Sequence, residues 1–314
     1  MNRIGMRWVS IAVMTGWMWA VGCTVVWAVG DGPRAYQPVP DGTNIVSLYG
    51  LGLRGNQAAD FGTVFPDGDL DVNLGLLQYS RAFSVGGAQA AALVIVPYGN
   101  SDGSLDFGNT VLSDDVSGFG DLIVGGVVTL IGPPPLSMDE YLAYDPGLVM
   151  SLLGKLTLPT GQYDEDRILN MGANRMAFQL GLPTSYYFGE SFLDGRLTSV
   201  ELAPSITFYG DNDEPFGTAS ETSQDPIFLL EGHLTHNFHQ AFWMSLDALY
   251  TYGGETSTDG VSDDNTQESF GLGATANLFL SETMSIKLSY GEVVWNNDNG
   301  PDGDFVRAVF TVTF

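Results

Sequence analysis

One cysteine, Cys23, stands in 314 residues. A single thiol closes no disulfide within its chain and builds no cysteine metal site. Histidine is nearly as scarce, with His233, His236 and His239 the only three. On a strand the outer two share a face and the middle one points away, a spacing that chelates poorly. Their plain reading is as surface side chains near a turn. Basic residues number 11 against 37 acidic ones, for a formal charge of −26. That balance excludes a nucleic-acid partner, which needs a basic face for phosphates. Charged residues make up only 15% of the chain, yet 44% is hydrophobic and 12% aromatic. Such a chain folds rather than staying disordered. Its 40 glycines point to strands and turns rather than helices.

Past residue 30 no apolar run is long enough for a membrane helix. Before it, Arg3 and Arg7 are the only charges, and an apolar run extends from Trp8 to Trp27. With Ala28 at the cleavage position, residues 1–28 read as an export signal. The run is long enough to span a bilayer, so a retained anchor is the alternative. Ala20-Val21-Gly22-Cys23 is a loose lipobox, which keeps lipoprotein processing at Cys23 open.

The rest of the chain alternates. Leu148, Met150 and Leu152, then Leu156 and Leu158, interleave with Ser151, Lys155 and Thr157; Phe242, Met244, Leu246, Ala248 and Tyr250 interleave with Ser245 and Asp247. Period two places the two sets on opposite faces of a sheet. Twelve such segments are expected, near 44–54, 69–82, 88–97, 121–131, 147–158, 175–188, 196–209, 226–236, 241–252, 266–278, 284–294 and 304–314. They exceed the ~5–6 residues usual in soluble sheets and match the ~9–11 of a tilted membrane strand. Short connections alternate with longer acidic ones, near 55–68, 98–120, 159–174, 210–225, 253–265 and 295–303, as in outer-membrane barrels. The fold class expected is therefore all-β: a transmembrane antiparallel barrel over 44–314, behind a periplasmic N-terminal segment over 29–43. Ser137 to Leu142, in the one long periplasmic connection, reads as a short capped helix. A soluble β-sandwich is the runner-up, but it needs shorter strands and does not sort its loops by length. Val306, Ala308, Phe310, Val312 and Phe314 recur at every second position to the C-terminus, a pattern that barrel-assembly machinery reads.

Parity assigns Asp71, Asn73, Lys155, Arg175, Gln179, Glu201, Glu231, His233, Asp247, Lys287 and Arg307 to the lumen, because a basic group facing lipid at mid-depth costs about 2–4 kcal/mol. These charges either pair and plug the interior or form a selective constriction. Arg175 is expected against an acidic lumen group, narrowing the path in the outer half.

Ser117 to Asp121, Gly132 to Ser137, Pro159 to Asp164 and Asn170 to Arg175 form an ordered series of motifs. Asp211-Asn212-Asp213, Gln224-Asp225-Pro226, Gly253-Gly254 and Asp259-Gly260-Val261 continue it. The series resembles the outer-membrane transporter-like family named for the meta-pathway of phenol degradation, over about residues 35 to 295. The resemblance implies an outer-membrane barrel tied to uptake of small hydrophobic, often aromatic, compounds, with the substrate undefined. A non-transporting structural or surface-binding barrel stays open. Pro159, Gly161, Tyr163 and Asn174 mark a loop that either sets a turn or folds toward the pore mouth. Asp211, Asp213, Asp263 and Asp264 are oxygen-rich but lack the spacing of a calcium loop, so no metal is assigned. The acidic loops could meet lipopolysaccharide through divalent ions, beside outer-membrane lipid. No catalytic constellation and no cofactor motif is present, and a non-enzymatic barrel is expected.

Overall fold

The computed structural model describes residues 30–60, 62–106 and 111–314. The export signal, its cleavage point, the anchor alternative and Cys23 lie outside the described residues. The elements in order are β1 (Asn44–Gly55), β2 (Gly68–Val85), β3 (Ala88–Asp106), β4 (Val111–Phe119), β5 (Leu122–Ile131) and α1 (Met138–Ala143). There follow β6 (Leu148–Leu158), β7 (Ala177–Gly181), β8 (Thr184–Phe188), β9 (Thr198–Tyr209), β10 (Thr222–Gln224) and β11 (Ile227–His239). The last are β12 (Phe242–Gly253), β13 (Thr256–Thr258), β14 (Val261–Ser262), β15 (Gln267–Phe279), β16 (Met284–Asn296) and β17 (Gly303–Thr313).

Neighbouring wall strands pair antiparallel, and β17 returns to β1 over Ile45↔Thr313 to Gly55↔Gly303. The wall is a closed barrel of twelve strands, with β4 and β5 forming one interrupted strand and β7 and β8 another. The second break falls at Leu182-Pro183, where proline has no N–H for the ladder. Closure leaves no unpaired edge at membrane depth, as lipid requires, and β4, which pairs with β3 alone, stands above it. Asn44 and Phe314 exchange backbone hydrogen bonds at 2.8 and 2.9 Å, so both ends of the wall lie at the end with the short turns.

Helix α1 forms where Ser137 caps it, with Glu140 returning a bond to the Ser137 N–H in a reciprocal capping box. The segment 98–120, expected as a loop, is instead a hairpin: β3 continues to Asp106 and pairs with β4 from Tyr98↔Phe119 to Asp106↔Val111. Both of its faces meet water or protein above the membrane belt, so a polar sequence can pair there. Within the expected loops, β10, β13 and β14 make a separate three-stranded sheet.

The outer face carries an apolar belt including Leu48, Leu77, Leu152, Leu202, Leu234, Leu246 and Leu288, all exposed. Exposed aromatics border it on both sides: Tyr98, Phe119, Phe208, Tyr252 and Trp295 toward the loops, and Tyr79, Phe83, Phe188, Phe238 and Phe314 toward the turns. This is the pattern of a membrane-embedded barrel. Leu246→Arg, in the middle of β12, should cost about 2–4 kcal/mol. Asn73→Arg, on the outer face above the belt, should cost little. Unfolding in urea from lipid vesicles measures both, and equal costs would refute this placement of the belt.

Candidate functional site

The lumen is filled from within. Residues 30–39 lie inside the barrel, where the sequence alone suggested a periplasmic segment. Gly-Asp-Gly-Pro-Arg packs by its backbone. Glu231 of β11 accepts the N–H groups of Asp31 (3.0 Å) and Gly32 (2.9 Å), and Glu201 of β9 accepts that of Arg34 (2.9 Å). On the other side Arg307 of β17 donates to the Gly30 carbonyl (2.7 Å) and Lys287 of β16 to the Pro33 carbonyl (2.8 Å). Wall acids thus satisfy the segment's N–H groups, and wall cations its carbonyls. A side chain at Gly30 would push the Glu231 carboxylate aside, since a Cβ there would stand 2.1 Å from its carboxyl carbon. Gly32 has φ +86°, and a Cβ there would meet the Arg307 guanidinium at 2.2 Å.

Side chains add to the hold. Lys155 pairs with Asp31 at 2.5 and 2.7 Å, and Tyr36 also donates to that carboxylate. Arg34 donates to Thr235 through Nε (3.0 Å) and Nη2 (2.7 Å), and its guanidinium stands 4.7 Å from the centre of the Trp243 ring. Gln37 reaches the Tyr141 hydroxyl on α1 at 3.3 Å, and Asp41 N–H bonds the Leu136 carbonyl at 2.8 Å. The segment therefore divides the lumen in two. A loop-side chamber of about 280 Å³ and a turn-side chamber of about 360 Å³ share Asp31, Tyr49, Gln78, Ile95, Lys155 and Arg307 as the floor between them.

His233, read plainly as a surface side chain, is instead buried between Asp247 (2.8 Å to Nδ1) and Glu231 (3.4 Å to Nε2). His236 and His239 are exposed near the β11–β12 turn. Gln179 lines the loop-side chamber and donates to Ser205 at 3.1 Å. Arg175, 8% exposed, sits at the loop end. Its acidic neighbour is Asp60 of the β1–β2 loop at 3.9 Å rather than a wall acid. It also donates to Gln224 at 2.6 Å and stacks on Tyr209 at 4.7 Å. Among the described residues Lys155, Lys287 and Arg307 form no ion pair with Glu201, Glu231 or Asp247, because the N-terminal segment lies between them.

Asp71 and Asn73 point outward, contrary to expectation. Leu70, Val72 and Leu74 take the inward positions, at 1%, 0% and 4% exposure, and pack with Leu51, Leu105, Leu169, Met171 and Phe305. The rule that charge faces inward holds only at lipid depth. Above it water hydrates Asp71, which pairs with Arg54 at 3.3 Å, and the apolar set packs together inside the loop end of the barrel.

The family-like motifs meet at the break between β4 and β5. Asp121, 7% exposed, accepts Gly161 N–H at 2.7 Å and Ala173 N–H at 2.8 Å. Gln162 N–H bonds the Phe119 carbonyl at 2.8 Å, which carries Pro159-Thr160-Gly161 across the break. Tyr163 donates to the Glu214 carbonyl at 2.7 Å, Asn212 donates to the Tyr163 hydroxyl at 2.8 Å, and Asn174, at φ +54°, donates to Asn212 at 2.8 Å. From the same connection Met171, Ala173 and Arg175 line the loop-side chamber. Asp121→Ala leaves two N–H groups without an acceptor and should cost roughly 2–4 kcal/mol, with Asp121→Asn costing less. The temperature at which the folded gel band is lost measures this, and an unchanged temperature for Asp121→Ala would contradict the role.

Asp211, Asp213, Asp263 and Asp264 are exposed on the loops, Asp263 accepting from Thr256 at 2.6 Å. Among the described residues no three His, Cys, Asp or Glu side chains are grouped to hold a metal ion. Asp259 accepts from the Ser220 N–H and hydroxyl (2.8 and 2.7 Å), and these bonds hold its carboxyl below the usual range.

The fold is similar to that of the COG4313 outer membrane channel from Pseudomonas putida F1, with 23% identity and a TM-score of 0.72 over 90% of this chain and 99% of that one. Lower similarity extends to the KdgM porin (8% identity, TM-score 0.43, 86% and 99% covered) and to a Pseudomonas aeruginosa FadL homologue (11%, 0.34, 87% and 89%). No curated protein sequence matches the chain. The model of the family described as "Putative MetA-pathway of phenol degradation" matches residues 49–305, and the chain belongs to that family.

Proposed function

We propose that the protein is an outer-membrane channel-type barrel for uptake of small hydrophobic or aromatic compounds, acting without catalysis. The observation that carries this reading is a lumen with two chambers, parted by the segment over 30–39 and the wall side chains that hold it. Each chamber exceeds the ~150 Å³ that suffices for benzene in an engineered cavity. Apolar side chains line much of both: Leu51, Leu74 and Ile123 toward the loops, and Leu93, Val127 and Phe279 toward the turns. Passage needs the segment over 30–39 to shift, because Asp31 and Lys155 close the floor between the chambers. The short turns and both ends of the wall then face the periplasm, and the acidic loops face outward toward lipopolysaccharide.

The filled lumen also favours a second reading, a barrel that transports nothing and serves structure or surface binding. Uptake of radiolabelled toluene separates the two in cells whose outer membrane carries lipopolysaccharide. Faster uptake in expressing cells than in a deletion strain is the result expected. Equal uptake at every concentration would overturn passage and favour the structural reading.

A further inference from the structure

The turn-side chamber holds an imbalance of charge that the N-terminal segment does not resolve. Its charged lining residues are Asp31, Glu282, Arg34, Lys155, Lys287 and Arg307, four cations to two acids, while Glu201 and Asp247 act on Lys287 from behind the lining. Lys155 already consumes Asp31, and Glu282 lies exposed on the β15–β16 turn. Among the described residues Lys287 and Arg307 form no ion pair, and they donate to backbone carbonyls instead. In a chain of formal charge −26 this cannot come from a shortage of carboxylates.

Two buried donors sharpen the point. The Nε of Arg307, a residue 6% exposed, and the Nδ2 of Asn277, a residue 3% exposed, have no hydrogen-bond acceptor. An unpaired buried donor costs free energy, and clustered unpaired cations cost more. The barrel register gathers these groups. Trp243 is opposite Asn277, Asn277 is opposite Lys287, and Lys287 is opposite Val309, forming one inward row across β12, β15, β16 and β17. Arg34 and Lys287 both bear on the Trp243 ring, at 4.7 and 5.5 Å. Across the chamber Leu93, Ile95 and Val127 offer an apolar wall.

We infer that the turn-side chamber binds a small organic carboxylate, its anionic end on Lys287, Asn277 and Arg307 and its apolar body against Leu93, Ile95 and Val127. A carboxylate supplies the counter-charge that Lys287 and Arg307 lack and acceptors for Arg307 Nε and Asn277 Nδ2, through charge-assisted bonds. A neutral phenol or hydrocarbon leaves the cations unpaired and gains only the apolar wall. The acidic loops do not cancel this preference. They lie at the far end of 12-residue strands such as β12, well beyond the ~8 Å screening length at physiological salt. The inference builds on the channel reading by naming the class of solute the inner chamber prefers.

Calorimetric titration of the full folded barrel in detergent, with benzoate and with its neutral counterpart benzamide, tests this. Benzoate should bind roughly tenfold or more tightly than benzamide. Lys287→Gln keeps a donor for the Pro33 carbonyl while removing the charge, and Asn277→Leu removes the amide at similar size. Each should weaken benzoate several-fold and benzamide by clearly less, with folding checked by gel mobility. If one variant fails to fold, the other together with the parent's benzoate-to-benzamide ratio decides the matter. Equal affinity for the two probes, no benzoate binding, or folded variants that bind benzoate like the parent would each overturn the site. Toluene uptake by cells expressing the same variants separates this from the channel reading. Selective benzoate binding without toluene uptake sinks only passage, and toluene uptake without benzoate selectivity sinks only the carboxylate site.

Discussion

Deleting residues 30–40 should raise single-channel conductance several-fold over the full barrel. Barrels of about eight strands are filled by their own side chains, whereas 16–18 strands leave a wide channel. A twelve-stranded wall is wide enough for a slim aqueous path, and here that path is taken by the chain's own backbone. The wall strands pair without help from the segment, from β1–β2 around to β17–β1. Deletion should therefore open the lumen without unfolding the barrel. Glu201, Glu231, Lys287 and Arg307 would turn to water instead of to backbone, which spares them a desolvation cost. Planar-bilayer recording of both forms measures the difference. Unchanged conductance would mean that the loops, not the segment, set the barrier.

Glu231→Ala should release the same segment without deleting it. This carboxylate accepts two backbone N–H groups of the segment and contacts His233. Hydrogen bonds to a charged group are worth about 1.5–3 kcal/mol each. Losing both shifts the docked-to-released ratio by about 3 kcal/mol or more, at least roughly a hundredfold. The parent should then show rare openings and Glu231→Ala frequent ones. Glu231→Gln should fall between them, because its amide oxygen still accepts one N–H while its NH₂ faces the other. The barrel should melt at nearly the parent temperature, since the ladder of β11 with β9 and β12 is untouched. A large loss of melting temperature without added openings would make Glu231 a staple of the wall rather than a latch.

These predictions rest on what the sequence does not display. Strands with strict alternation were legible because one face meets lipid and the other does not, and Leu246 and Asp247 sort accordingly. The cap of α1 was legible because Ser137 and Glu140 carry a local signal. The N-terminal segment was not. Its contacts join residues about 200 apart, as between Asp31 and Glu231. Gly-Asp-Gly-Pro-Arg has no periodicity to announce them. Only the paired glycines, where backbone meets Glu231 and Arg307, hinted at a close approach. Asp71 and Asn73 were misplaced because alternation gives two faces but not which one is inside. The lipid argument that decides the question at mid-depth fails above the belt. The hairpin over 98–120 was missed for the same reason: Asn100-Ser101-Asp102-Gly103-Ser104 reads as a loop, yet polar residues pair well where both faces are wet.

The position of the segment is the central claim, and Trp243 reports on it directly. This indole is 3% exposed and lies under Arg34 of the segment. Trp295 is 51% exposed on the outer face, so Trp295→Phe removes its background from a chain without residues 1–28. Acrylamide quenching of Trp243 fluorescence should be weak in that chain and several-fold stronger once residues 30–40 are deleted. Equal quenching in the two forms would place the segment outside the lumen and contradict the account.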